Sequence, residues 1–158
     1  MKAIRTDREN AKLDAAMRTA KAWATLATCP RLFVGAVIMG PNFESIAWGF
    51  NGSDTGEDHC TDAGCDMRER DGRMSCHRAR HAEENALRFA LRGYPHGLPI
   101  GSIAVVTHHP CKACLGALLG AGVRRIFYGE PYAGAAVFSP EIMLATYGAK
   151  IEWLRVFA

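Results

Sequence analysis

"SIAVVTHHPCKACLGALLGAGVRRIFYGE", Ser102–Glu130, changes structural character twice within one short span. Ser102–Thr107 is an apolar, β-branched run and reads as a strand. Cys111–Gly122 reads as a helix, in which Gly116 and Gly120 permit close packing. Arg124–Glu130 reads as the following strand. A strand, a helix and a second strand in direct succession imply parallel strands joined by a crossover, and hence a layered α/β sheet. The helix also opens on Pro110-Cys111-x-x-Cys114, which is unusual for an element whose only task is packing.

The flanking chain extends the pattern. Downstream, Ser139 reads as an N-cap with Pro140 in the first helical position, and that helix closes at Gly148. Lys150–Phe157 reads as a last strand. Upstream, Leu13, Met17, Ala20 and Ala24 recur at helical spacing and predict an amphipathic helix from about Thr6 to Ala27. Phe33–Met39 reads as a buried strand, Gly40–Asn42 as a turn, and Ser45–Phe50 as the hairpin partner. A helix is predicted from His81 to about Leu91, with Ala86, Leu87, Ala90 and Leu91 on its apolar side and Gly93 as its stop. Between hairpin and helix lies Asn51–Arg80, polar, aperiodic and too long for an ordinary loop. The order is α-β-β-(insert)-α-β-α-β-α-β.

With 158 residues, 49% hydrophobic and 22% charged, the chain suits one globular domain spanning 1–158. A net charge of +3 is small for a protein that grips a phosphate backbone, so nucleic acid is not the expected partner. No apolar run reaches the ~20 residues that a membrane helix needs. The opening "MKAIRTDREN" lacks the apolar core of a signal peptide, so a cytoplasmic location is expected. In that reducing compartment the cysteines at 29, 60, 65, 76, 111 and 114 are expected as thiols and metal ligands rather than disulfides.

Positions i and i+3 share a helix face, and the N-terminal end of a helix favours thiolates through its free N–H groups and dipole. Cys111 and Cys114 meet both conditions. A catalytic zinc takes three protein ligands from Cys, His and carboxylates and keeps a fourth position open. "HAEENAL", His81–Leu87, supplies a histidine two residues before a glutamate at a helix start. Either motif alone has bland readings: a redox pair or chance for the thiols, a polar cap for the histidine. Together they match the H-x-E…P-C-x-x-C signature of zinc deaminases. Three ligands plus a carboxylate also differ from a structural site, which needs four protein ligands and no acid–base group.

The chain resembles the cytidine/deoxycytidylate deaminase superfamily over essentially its whole length, and within it the bacterial and phage dCMP deaminases. "VGAVI" and "GFNGS", with Gly56 following, are similar to their V-G-A-x-I and G-Y-N-G-S-P-x-G. "HAEENA" is similar to H-A-E-x-N-A, and "VTHHPCKAC", "AGVRRIFY" and Tyr132 to V-T-H-x-P-C-x-x-C…A-G-I-x-x-V-x-Y…Y. Cys60, Cys65 and Cys76 resemble the cysteine pattern of their insert. Asp54 stands where the family often has proline, and Phe50 replaces a tyrosine.

The resemblance implies a three-layer α/β/α cytidine-deaminase-like fold with a mixed five-stranded sheet and a zinc-rich insert at 51–80. It implies Zn²⁺ on His81, Cys111 and Cys114, with Glu83 as the catalytic proton carrier between water, ring N3 and the departing amino group. Asn51, Ala82 and Tyr132 are implied as substrate contacts. The reaction implied is hydrolysis of dCMP to dUMP and ammonia, supplying thymidylate synthesis. A homo-oligomer, hexamer or dimer, is implied, together with dCTP and dTTP effectors, the former with Mg²⁺, near the "GFNGS" segment.

Cys29, Cys60, Cys65 and Cys76 remain, with His59 and His77 beside them, in numbers that suit a structural zinc able to order a polar insert. By resemblance, Cys29, Cys60 and Cys76 are its ligands, completed by His77 or Cys65. His108 and His109 are expected in a structural or substrate-pocket role, His96 in an exposed loop, and Trp23, Trp48 and Trp153 in packing. Arg78, Arg80, Lys112 and Tyr132 are the candidates for a substrate phosphate. Two other readings stand beside dCMP: deamination of another base (tRNA adenosine, guanine or a modified cytosine nucleotide), and a non-catalytic structural-zinc module for nucleic acid.

Overall fold

The apolar runs that predict strands pair into one sheet, whose central strands β1 and β5 are buried on both faces and so need a cover on both. The computed structural model describes residues 5–70, 72–131 and 138–154. In chain order the elements are α1 (Asp7–Ala24), β1 (Gly35–Met39), β2 (Ser45–Phe50), α2 (Cys60–Ala63), β3 (Met67–Arg70), β4 (Arg73–Cys76), α3 (Ala82–Gly93), β5 (Ser102–His108), α4 (Lys112–Ala121), β6 (Val123–Glu130), α5 (Glu141–Tyr147) and β7 (Lys150–Trp153). The five-stranded sheet has the order β2-β1-β5-β6-β7. β1 is antiparallel to both β2 and β5, whereas β5, β6 and β7 run parallel. The sheet is therefore mixed, as expected. Among the described residues no helix is long and apolar enough to cross a membrane.

Alternation along the strands sorts the core into two layers. Val37, Met39, Ile103, Val105 and Phe127 face α1, where Leu13, Met17 and Ala20 cover them. Ala36, Ile38, Ala104, Val106 and Ile126 face the other way, against Ala86 of α3, Leu115 and Leu119 of α4 and Leu144 of α5. The first helix thus lies alone on one face, and the helices that carry the sequence motifs share the other.

Two glycines set how closely the helices approach. A Cβ on Gly35 would stand 1.8 Å from the carbonyl oxygen of Ala20 in α1. A Cβ on Gly49 would stand 2.6 Å from the Ala86 nitrogen and 2.8 Å from the Ala82 oxygen of α3. Neither backbone can yield locally, so these glycines let α1 and α3 lie flat on the sheet.

The structure departs from the sequence expectations at several ends. The first helix stops at Ala24, not Ala27; its start is as expected, Thr6 capping the Glu9 N–H while the Glu9 carboxylate takes the Thr6 N–H at 2.9 Å. β1 starts at Gly35, and Phe33 is exposed. The reason is Asn51, whose side chain takes the Val34 N–H at 2.8 Å and donates to the Leu32 carbonyl at 2.7 Å, satisfying that backbone outside the ladder. Gly93 is the last helical residue rather than the stop, and Tyr94 follows as C-cap. Pro140, not Ser139, caps α5, because the Ser139 hydroxyl bonds the Glu141 carboxylate instead. The last strand ends at Trp153; the expectation for 155–157 lies outside the described residues. The insert, read as irregular, holds the short α2 and a separate β3–β4 hairpin.

Substitution of either contact glycine is expected to cost ~1–3 kcal/mol by overpacking. That corresponds to roughly 2–12 °C in Tm for a chain of this size. Gly35→Ala should lower Tm while sparing turnover by the folded fraction. Gly49→Ala should lower both, since it pushes on the first turn of α3. Equal turnover per folded molecule in the two variants would contradict that distinction.

Candidate metal and active site

Helices α3 and α4 start beside each other on one face of the sheet. His81 is the N-cap of α3, and Cys111 the N-cap of α4, where its sulfur accepts the Cys114 N–H at 3.5 Å. The His81 backbone N–H is satisfied by the Glu84 carboxylate at 3.1 Å. The His81 Nδ1 lies 3.3 Å from Cys114 Sγ and 3.6 Å from Cys111 Sγ. Ligands at ordinary Zn–N and Zn–S lengths in a tetrahedron stand about 3.5–3.8 Å apart, so the donor set fits zinc with a fourth direction left over. The three donors converge within 4.8 Å of one another.

The electrostatics agree with that fit. The Cys111 thiol is pulled down to about 3, first by the hydrogen bond from the Cys114 thiol and then, against the cost of burial, by His81. The Cys114 thiol is pushed up by the same bond and by its burial, as two thiols sharing a proton must be. His81 is pushed up, chiefly by its bond to Cys111. This is a site built to hold negative sulfur next to a positive partner.

Glu83 sits on the second residue of α3 and is only 4% exposed. Burial pushes its carboxyl up to about 7, opposed by the charge of His81. A carboxyl poised near neutral pH can accept and return a proton, which is the property of an acid–base group.

A cleft of about 440 Å³ opens onto these residues, with Glu83, Ala82, His81 and Cys111 in its wall. Ala82 is fully buried at the first helical position, so its N–H has no partner inside the helix. Asn51 also lines the cleft. Its oxygen and one amide hydrogen hold Val34 and Leu32, which leaves one N–H for a ligand. His108 and His109 complete this side: Thr107 Oγ1 and His108 Nδ1 are 2.9 Å apart, and His109 Nδ1 donates to the Pro110 carbonyl at 2.8 Å. Both histidines are pocket residues, as expected. Tyr132 lies outside the described residues.

The remaining thiols form a second group. Cys60, Cys65 and Cys76 place their sulfurs within 4.8 Å of one another, with Cys60 and Cys76 at 3.5 Å. Cys29 is packed into the same cluster. His77 is exposed on the neighbouring loop and is not among the three converging donors. The Cys60 thiol is pushed up to about 12, first by burial and then by Cys76. Three sulfurs crowded at these distances, with Cys29 packed against them, suit a metal better than neutral thiols. Of the arginine and lysine candidates, Arg80 lines the cleft, Arg78 binds the Gly64 carbonyl at 3.0 Å, and Lys112 is exposed outside the lining. Arg31, which no motif singles out, also lines the cleft. Trp23 stacks on Trp48 and Phe50 in a second cleft of about 660 Å³ on the outer side of β2 and α3.

The chain is similar to known proteins. Residues 10–130 match the family described as the cytidine and deoxycytidylate deaminase zinc-binding region. Over 110 residues the chain is 41% identical to ComE operon protein 2 of Bacillus subtilis, covering 69% of this chain and 54% of that protein. It thus spans about half the length of that relative. An uncharacterized deaminase from the luxG 3' region of Aliivibrio fischeri is 30% identical over 131 residues, covering 79% of this chain and 81% of that one. The crystal structure of dCMP deaminase from the cyanophage S-TIM5 in complex with dCMP and dUMP superposes with a TM-score of 0.68 at 26% identity, over 96% of this chain and 99% of that one.

Two donor sets predict about two zinc ions per purified chain, measurable by elemental analysis. Cys111→Ala is expected to remove one, and Cys76→Ala the other. A firm value of one in the unsubstituted chain would eliminate the second site.

Proposed function

The chain belongs to the cytidine and deoxycytidylate deaminase family, and from that footing we propose that it hydrolyses dCMP to dUMP and ammonia as a single zinc-dependent domain. The observation that carries this reading is the composition of the site: among the described residues three donors converge, with a buried carboxyl beside them in an open cleft. A purely structural zinc in a nucleic-acid module needs neither the open direction nor Glu83. The choice of dCMP rests on the likeness to the cyanophage enzyme and on the room in the cleft.

In the proposed mechanism His81, Cys111 and Cys114 hold zinc. Zinc, when bound, supplies a Lewis acid that makes water nucleophilic near neutral pH. Glu83 takes the proton of the attacking water as oxygen bonds to C4 of the pyrimidine. It passes that proton to ring N3, then carries the second water proton to the amino group, which leaves as ammonia while the C4 carbonyl forms. Ala82 presents its free backbone N–H to the ring carbonyl, and Asn51 offers its remaining amide hydrogen to the sugar.

The same reading includes a homo-oligomer and dCTP or dTTP effectors with Mg²⁺. The second cleft supports an effector site near "GFNGS", since Phe50, Ser53, Arg88 and Arg92 line it. Asp54 changes its character, because its carboxylate bonds Arg80 at 2.7 Å and Arg88 at 2.5 Å. Those bonds, Arg80 first, hold the Asp54 carboxyl below its ordinary range.

Glu83→Ala is expected to keep the zinc content and the melting curve but to lower dCMP turnover by about 10³-fold or more. Substantial residual turnover would count against the assignment. Ammonia release across dCMP, deoxycytidine, guanine and tRNA should be highest for dCMP. A chain active on tRNA adenosine and inert on dCMP would overturn the substrate.

A further inference from the structure

We propose that Asp54 is a positioning residue: its carboxylate ties the segment that carries Asn51 to α3, and so holds His81 at the metal and Glu83 at the ring; the inference rests on the deaminase reading above. One oxygen, Oδ1, accepts from Arg80 Nε at 2.7 Å and from Arg88 Nη1 at 2.5 Å. Arg80 immediately precedes His81, and Arg88 lies about two turns into α3. A single side chain therefore grips α3 just ahead of its N-cap and again further along. The backbone here is already paired, since Gly52 and Arg80 exchange both N–H···O bonds, at 3.0 and 3.1 Å. The Asn85 amide adds a bond to the Phe50 carbonyl at 2.9 Å. One bridged pair of residues still leaves rotation about the bridge open. Asp54 lies beyond that bridge from Asn51 in the chain, and its two contacts close the remaining freedom.

The contribution of Asp54 to bulk stability is small. Its side chain is 33% exposed and those of Arg80 and Arg88 are 46% and 54% exposed, and exposed ion pairs add little to folding. Its effect is on where the two arginines sit. Two guanidiniums that share one oxygen stand close enough to repel, so neutralising Asp54 leaves two like charges facing each other beside His81. Small displacements matter at that point, because a shift on the order of 1 Å in a reacting group can cost about 100-fold in rate. The same shift would loosen the His81 contribution to the metal, which gives the inference a second consequence apart from turnover.

The test uses the zinc-loaded full chain, with steady-state turnover of dCMP and chelator-driven zinc release as separate readouts. The release phase that is missing in Cys111→Ala identifies the active-site metal. Asp54→Asn is expected to lower kcat about 5- to 30-fold and to speed that phase by a similar factor. Tm should fall by no more than about 4 °C. Asp54→Glu, which restores the charge, should recover most of both losses. Glu152→Gln removes a comparable exposed pair, with Arg5 at 2.8 Å on β7, and should leave turnover and release unchanged. Should the asparagine variant melt early, the starting chain decides the case. Raising the ionic strength from about 0.05 to 0.5 M screens exposed charges and should speed the active-site phase; a phase that ignores salt overturns the inference. Either readout unchanged in a folded Asp54→Asn, or losses that Asp54→Glu does not recover, also overturns it while the function stands. A starting chain that turns over no dCMP overturns the function, and zinc release then decides the hold on His81 by itself.

Discussion

Two helix N-termini meet on one face of the sheet, and the chemistry of the molecule depends on that meeting. The first turn of α4 delivers Cys111 and Cys114, and the cap of α3 delivers His81 with Glu83 one step further in. Each terminus contributes unpaired N–H groups and the positive end of its dipole, which favour the negative sulfurs gathered there. Neither helix can shift alone without spoiling distances of 3.3 and 3.6 Å between imidazole and thiols. The packing beneath them therefore serves the site directly. Gly49 lets α3 lie against β2, and the parallel pairing of β5 with β6 sets α4 beside it.

The insert solves a different problem. It has few apolar residues, so it cannot build a core of its own, and its Cys60 and Ala79 are buried together with Cys29 from the segment before β1. Sulfur crowding replaces hydrophobic burial there, and the proposed metal would convert it into a cross-link between the segment before β1 and the β3–β4 hairpin. A backbone bridge between Gly52 and Arg80 and the bonds of Asp54 to Arg80 and Arg88 tie the far end of the insert to α3. The insert is thus held at both ends by elements that also frame the cleft. That arrangement explains why Cys29, Cys76 and Arg80 all appear in the cleft wall.

Much of the site was legible in the chain because it is local. The i,i+3 thiols share one helix face by spacing alone, and the His-x-Glu pair lies within one helical turn. The layered α/β sheet followed from the crossover and the mixed five-stranded arrangement from the family resemblance, and the observed strand order agrees. The element ends were less legible. Asn51 cut β1 short by taking the bonds a longer strand would have used, and no local pattern announces a side chain 17 residues away.

The sequence by itself determined the layered α/β plan, the cysteines and histidine that can hold zinc, and the glutamate beside them, because periodicity and short spacings are properties of a chain before it folds. Only the tertiary structure decided which thiols converge, since Cys29, Cys60, Cys65 and Cys76 are scattered over 48 residues and any pairing satisfies the count. It alone placed His77 at the surface, Arg31 in the cleft and Asp54 between two arginines. Those outcomes depend on distances between segments far apart in the chain, and such distances exist only once the sheet has brought the segments together.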